Sequence, residues 1–263
     1  MGIITNQIDL KIYIDLLSYK QYLKKAGFIM LKNKVYDARF LVPIMVVIAY
    51  VWIQLFNLSG LKTNAGMVYQ MILVLYVFFL VFYKPIKPIQ KALLILGILF
   101  CLIGDMALSS AFETPSGYRL PIGMGLFFVG HLSFILGILT FRKPKLKAFR
   151  TNFIIVFSVI VLLFIFTVFN PDEMLLSILA IVYAVALGVG LTIGLSMKDN
   201  PIYRYLAWGY GIFIFSDWLI AIRSIKGWDT PNLINNQGVW FTYILALSLI
   251  CYSVVHLNRS VNK

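Results

Sequence analysis

The fold class predicted by this sequence is all-α, a polytopic membrane bundle of about eight transmembrane helices, and three observations predict it. Hydrophobic residues make up 61% of the chain and charged residues 13%, with a mean hydropathy of +0.89, far from the balance of a water-soluble domain. The apolar residues fall into blocks of about 17 to 22, enough for a helix rising about 1.5 Å per residue to cross roughly 30 Å of hydrocarbon. Those blocks are continuously apolar rather than alternating, which selects helices over barrel strands.

Residues 1–39 precede the first block and are too polar to cross. Ile8, Ile12, Leu16, Tyr19 and Leu23 recur there at helical spacing, with Lys11, Asp15, Ser18 and Lys25 opposite, so an amphipathic helix on the inner membrane surface is expected. The competing reading is a poorly ordered basic extension drawn to anionic lipid. No apolar core with a small-residue cleavage site follows the first basic residues, so no signal peptide is expected. The predicted spans are 40–57, 66–83, 91–109, 120–141, 151–169, 173–196, 203–223 and 238–257, with 258–263 as a short tail.

Short connections make residues 40–257 one domain. The longest predicted loop, about 224–237 ("SIKGWDTPNLINNQ"), is rich in Gly, Pro and Asn and could roof a cavity. No internal repeat of the kind found in many transporters is evident. Gly123, Gly130 and Gly137 in the fourth span, and Ala180, Ala184 and Gly188 in the sixth, form small-residue stripes suited to close helix packing, with room for a lipid tail as the alternative.

The net charge of +13 would fit a nucleic-acid partner, but its distribution argues for topology instead. With a cytoplasmic N-terminus, 19 of the 23 Lys and Arg residues lie inside, leaving Lys62, Arg119, Arg223 and Lys226 outside. That is the positive-inside bias, with both termini cytoplasmic in the inner membrane. Cys101 and Cys251 sit in apolar segments and read as small fillers rather than a disulfide or metal motif. His131 and His256 are the two histidines, and no metal or cofactor is expected.

Against this background two acidic residues stand well inside spans: Asp105 in "LFCLIGDMALSS" and Asp217 in "IFIFSDWLIAIRS". An ionised carboxylate facing lipid costs roughly 2.5–3.5 kcal/mol on insertion scales, so both are expected to face the bundle interior. Each lies roughly 20 Å past the inner end of its span, so the two share a level. Gln54 and Tyr243 fall within a turn or two of that depth, and His131 nearer the middle, giving a polar layer in the outer half. Two carboxyl groups in one low-dielectric pocket do not both ionise comfortably, so one is expected to keep its proton and the pair to serve as acid and base. The structural alternative is that each Asp merely pairs with Tyr, Ser, His or backbone to fix packing. His131 likewise reads either as a satisfied core histidine or as a group orienting an aspartate or water. Lys84 in "VFYKPIKP" is most simply a snorkelling lysine before a helix-ending proline.

Taken in order, "FYKP" closing the second span, "GD" in the third, "GHLSF" in the fourth, "SDWLIA" in the seventh and "WFTYILALSLI" in the eighth resemble the YhhN-type lysoplasmalogenase family of eight-span membrane proteins. The resemblance covers roughly residues 40–257. It implies hydrolysis of the vinyl ether bond of lysoplasmalogens to a fatty aldehyde and glycerophosphoethanolamine or glycerophosphocholine. It also implies that Asp105 and Asp217 are the catalytic pair, with Lys84, His131, Ser216 and Tyr243 at polar positions of the same pattern. Two residues depart from the family pattern, Phe134 where a tyrosine is expected and Leu247 where a glutamine is, and both remove hydrogen-bonding capacity from the expected pocket.

The expected mechanism has one aspartic acid protonating the β-carbon while the other, ionised, stabilises the oxocarbenium ion and accepts a proton from water. A lysophospholipid would come in from the bilayer, its phosphate near Arg119, Arg223 and Lys226, unless these are ordinary rim charges. A monomer or homodimer is expected. A proton-coupled transporter remains the alternative, since it too would place acidic groups at one depth. Ester hydrolysis ranks lowest: no GxSxG nucleophile motif is present, and Ser216 has no evident His partner.

Overall fold

The computed structural model describes residues 87–108, 117–228 and 238–257, together with Ser18 and Gln21. The first two predicted spans, the surface helix expected in 1–39, Gln54 and Lys84 lie outside the described residues. The elements are α1 (Pro88–Leu108), α2 (Arg119–Leu139), α3 (Leu146–Thr167), a 3-10 turn (Pro171–Glu173), α4 (Met174–Ser196), α5 (Pro201–Lys226) and α6 (Val239–His256). They correspond to the third through eighth predicted spans, and all lie within the compact unit Val46–Lys263. The protein is an all-α, multi-pass membrane bundle, with no strand among the described residues. Five of these helical segments are long and apolar enough to cross a bilayer, and α6 contributes the shorter apolar stretch Phe241–Val254.

Two Asn-Pro pairs set helix starts. The Asn200 side chain accepts from the Ile202 N–H at 3.0 Å while Pro201, lacking an N–H, takes the first position of α5. Asn170 does the same before Pro171, accepting from the Asp172 N–H at 3.3 Å. At the other end of α5, Gly227 (φ 68°) adopts the left-handed conformation and its N–H donates to the Arg223 carbonyl. The helix therefore outruns its predicted end at 223, and the loop expected from 224 begins only at Gly227. Lys226, expected in the loop, joins Arg223 in the last helical turn.

In packing, α1 lies on α2, α3 on α4, α4 on α5 and α5 on α6, while α2 also touches α4 and α6. Helices α2, α4, α5 and α6 thus close a ring, flanked by α1 and α3. Small residues let the helices approach closely. A Cβ at Gly130 would come within 2.9 Å of the Gly97 carbonyl oxygen, and one at Gly194 within 2.7 Å of the Ala207 backbone nitrogen. Outside the ring, α3 presents an apolar face in which Phe166 is 78% exposed and Ile154 62%. Such a face is stable against lipid tails and not against water. Three hydroxyls buried at membrane depth are satisfied within their own helices: Ser133 donates to the Val129 carbonyl (2.9 Å), Thr192 to Gly188 (2.7 Å) and Ser253 to Leu249 (2.8 Å).

Candidate active site

Asp105 lies in the last turn of α1, 8% exposed. The glycine before it has a physical role, because the Phe127 ring of α2 packs where a Cβ on Gly104 would stand, 3.2 Å away. From α6, the Tyr243 hydroxyl donates to Asp105 Oδ2 at 2.6 Å. Short bonds of this kind, from a neutral hydroxyl to a carboxyl oxygen, fix a side chain more firmly than neutral amide bonds do.

Asp217 stands on α5 between two anchors. Ser216 donates to the Val239 carbonyl at the start of α6 (3.1 Å), and Trp218 Nε1 donates to Thr167 Oγ1 at the end of α3 (2.8 Å). Consecutive helical residues point about 100° apart, so these two bonds set the rotation of α5 and aim Asp217 at α4. There the Tyr183 hydroxyl donates to Asp217 Oδ2 at 2.7 Å. Each aspartate thus has a tyrosine donor from a different helix.

Both carboxyl groups line one cavity of about 360 Å³, together with Tyr243, Phe127, Arg119 and Arg223. This is a size that holds a small ligand or a lipid headgroup region. Arg119 and Arg223 are exposed residues at the ends of α2 and α5, so cationic charge borders the cavity while the aspartates lie deeper in the bundle. Of its walls, Phe127 and Tyr243 pack edge to face with each other and with the buried Phe213 behind them, with centroids 5.4 to 6.3 Å apart. Among the described residues no three His, Cys, Asp or Glu side chains gather as a metal ion would require.

The fold therefore brings together Asp105, Asp217, Tyr243, Arg119 and Arg223 of the residues singled out from sequence, and it sets three others apart. His131 is 1% exposed, with its ring 4.3 Å from that of Phe213 and 5.6 Å from that of Tyr210; neither ring nitrogen has a hydrogen-bond partner among the described residues. It does not line the cavity and belongs to an aromatic layer of the core. Ser216 is fully buried and serves as a strut to α6. Lys226 does not line the cavity, unlike Arg223. Tyr183 was missed. The signal was present, since it is the one tyrosine of α4 and shares a helical face with the small residue Ala180 one turn before it.

Removing either donor tests these bonds. Tyr183→Phe and Tyr243→Phe should each cost about 1–3 kcal/mol by leaving a carboxyl oxygen without its donor. Melting temperatures in detergent read the loss, and an unchanged value for either variant would show that its bond contributes nothing to the fold.

The YhhN family model matches residues 63–254. The chain belongs to the YhhN family. No curated protein and no solved structure shows a significant match to it. The YhhN region contains both aspartates, the tyrosine donor of each and both arginines of the cavity, and also Lys84; it excludes Gln54 and the first predicted span. Membership supports a hydrolase of the lysoplasmalogenase type at the level of the family. The two departures from the YhhN pattern fall away from the cavity walls. Phe134 is fully buried, its ring filling the space over Gly97, and Leu247 is 2% exposed in the core. Neither removes a polar group from the cavity itself.

Proposed function

We propose that this YhhN-family protein cleaves the vinyl ether bond of lysoplasmalogens, lysoplasmenylethanolamine or lysoplasmenylcholine, releasing a fatty aldehyde and the glycerophospho-headgroup. The observation that carries this reading is the pair of aspartates, each hydrogen-bonded by its own tyrosine, lining one cavity bordered by two arginines. In this scheme one aspartic acid gives its proton to the β-carbon of the vinyl ether, leaving an oxocarbenium ion. The other, as carboxylate, stabilises that cation and takes a proton from the attacking water. The resulting hemiacetal collapses to aldehyde and alcohol. No metal or cofactor takes part. Tyr183 and Tyr243 hold the carboxyl groups in place, and Arg119 and Arg223 hold the phosphate.

The same reading gives the chain eight spans, with both termini cytoplasmic, residues 1–39 at the inner surface, 40–257 as the catalytic domain and the cavity in the outer half of the membrane. The basic residues Arg142, Lys143, Lys145 and Lys147 beside the α2–α3 connection support that orientation.

The test is aldehyde release from a lysoplasmalogen by the purified protein in detergent. An enzyme turns over there, whereas a proton-coupled carrier has no gradient and makes no product. Arg223→Ala should raise the apparent KM roughly tenfold while kcat holds, as loss of a charge-assisted phosphate contact requires. An unchanged KM would remove Arg223 from substrate binding.

A further inference from the structure

Between α2 and α4 runs an apolar groove of about 220 Å³, bordered by Met124, Gly125, Phe128, Leu179, Val182 and Tyr183. Phe128, Leu179 and Val182 are 38%, 39% and 56% exposed, on helices that cross the bilayer, so the groove is open to lipid. A narrow chamber of about 30 Å³ adjoins it, sharing Met124 and Tyr183 with the groove and Phe127 and Asp217 with the aspartate cavity. Three spaces therefore follow one another, and Tyr183 is the partition: its side chain borders the groove and its hydroxyl holds Asp217.

The chemistry changes along that series from cationic (Arg119, Arg223), through the two carboxyl groups, to purely apolar. A single-chain phospholipid presents its groups in the same order: phosphate, the bond at the head of the chain, then hydrocarbon. We propose that the groove between α2 and α4 is the lateral passage and seat for the substrate's hydrocarbon chain, and that Gly125 sets how much chain it admits. The identity of the reacting bond rests on the hydrolase reading; the location of the chain does not.

Gly125 is suited to the test. A Cβ there would meet no atom of the described residues within 4 Å, so among them a larger side chain grows into the groove without displacing the backbone. Gly123 and Gly130 on the same helix differ, because they face Leu108 and the Gly97 carbonyl of α1.

In the full-length protein, Gly125→Trp should lower kcat/KM on hexadecenyl lysoplasmenylethanolamine roughly tenfold or more, and leave an analogue with a butenyl chain on the same headgroup within about twofold. Equal losses on the two substrates, or no loss on either, would overturn the proposal. A second measurement is independent of turnover. A lysophosphatidylethanolamine carrying a diazirine in mid-chain should photolabel the peptides containing Met124–Phe128 and Leu179–Tyr183, and the label should disappear in Gly125→Trp. Labelling there without aldehyde release from any substrate upholds the passage and overturns the hydrolase. Aldehyde release with labelling elsewhere does the reverse. Groove labelling displaced by a diacyl phosphatidylethanolamine, and not by unlabelled lysolipid, assigns the groove to bulk bilayer lipid and overturns the proposal.

Discussion

Aldehyde release from lysoplasmenylethanolamine is expected to fall by at least about a hundredfold in Asp105→Asn, and by as much in Asp217→Asn, with both proteins still folded. The amide keeps the shape of the carboxyl and its oxygen still accepts from Tyr243 or Tyr183, so the packing around each site survives. What is lost is chemistry: an amide neither delivers a proton to carbon nor takes one from water. Because the two groups work on one transition state, the double variant should be little worse than either single one. Melting temperatures near wild type, alongside lost turnover, are the expected pair of results. Retention of activity by either single variant would reduce the mechanism to one carboxyl group and end the acid/base division proposed here.

The largest structural effect is expected from a single methyl group. Gly194→Ala places a Cβ within 2.7 Å of the Ala207 nitrogen and 2.8 Å of its Cα, and backbone atoms cannot rotate away as a side-chain tip can. The α4–α5 contact must open, and with it the bond between Tyr183 on α4 and Asp217 on α5. The expected loss is about 3 kcal/mol or more, at the upper end for overpacking. It is read as a lowered melting temperature in detergent, together with reduced turnover. Gly125→Ala is the matched control, since the same methyl meets open space among the described residues and slightly favours the helix. Equal melting temperatures for the two variants would show that the close approach of α4 and α5 is not needed for the fold.

Most of what orders this protein along its own axis is visible in the residues. Continuous apolar blocks located the six described helices, because hydrocarbon leaves the backbone no partner but itself. Asp105 and Asp217, counted along their helices, were placed at one level, and they do line one cavity. The ends were less legible. Helix α5 continues to Lys226 because its last turn, with Arg223 and Lys226, is still compatible with helix, and the left-handed Gly227 ends it where hydropathy alone gives no stop.

Rotation about the axis is the part that residue counting does not supply. Ser216 and Asp217 are neighbours in sequence, yet one bonds to the start of α6 and the other to a tyrosine of α4. Tyr183 finds its partner only because α4 packs against α5, where its hydroxyl meets Asp217. The sequence by itself determined that the chain lives in a membrane, where its described helices run and how far along them its carboxyl groups sit, because those follow from solvation and from a fixed rise per residue. Only the tertiary structure decided which groups meet. Partner choice depends on how ridges and glycine gaps of neighbouring helices fit together, and that fit belongs to pairs of helices rather than to either one.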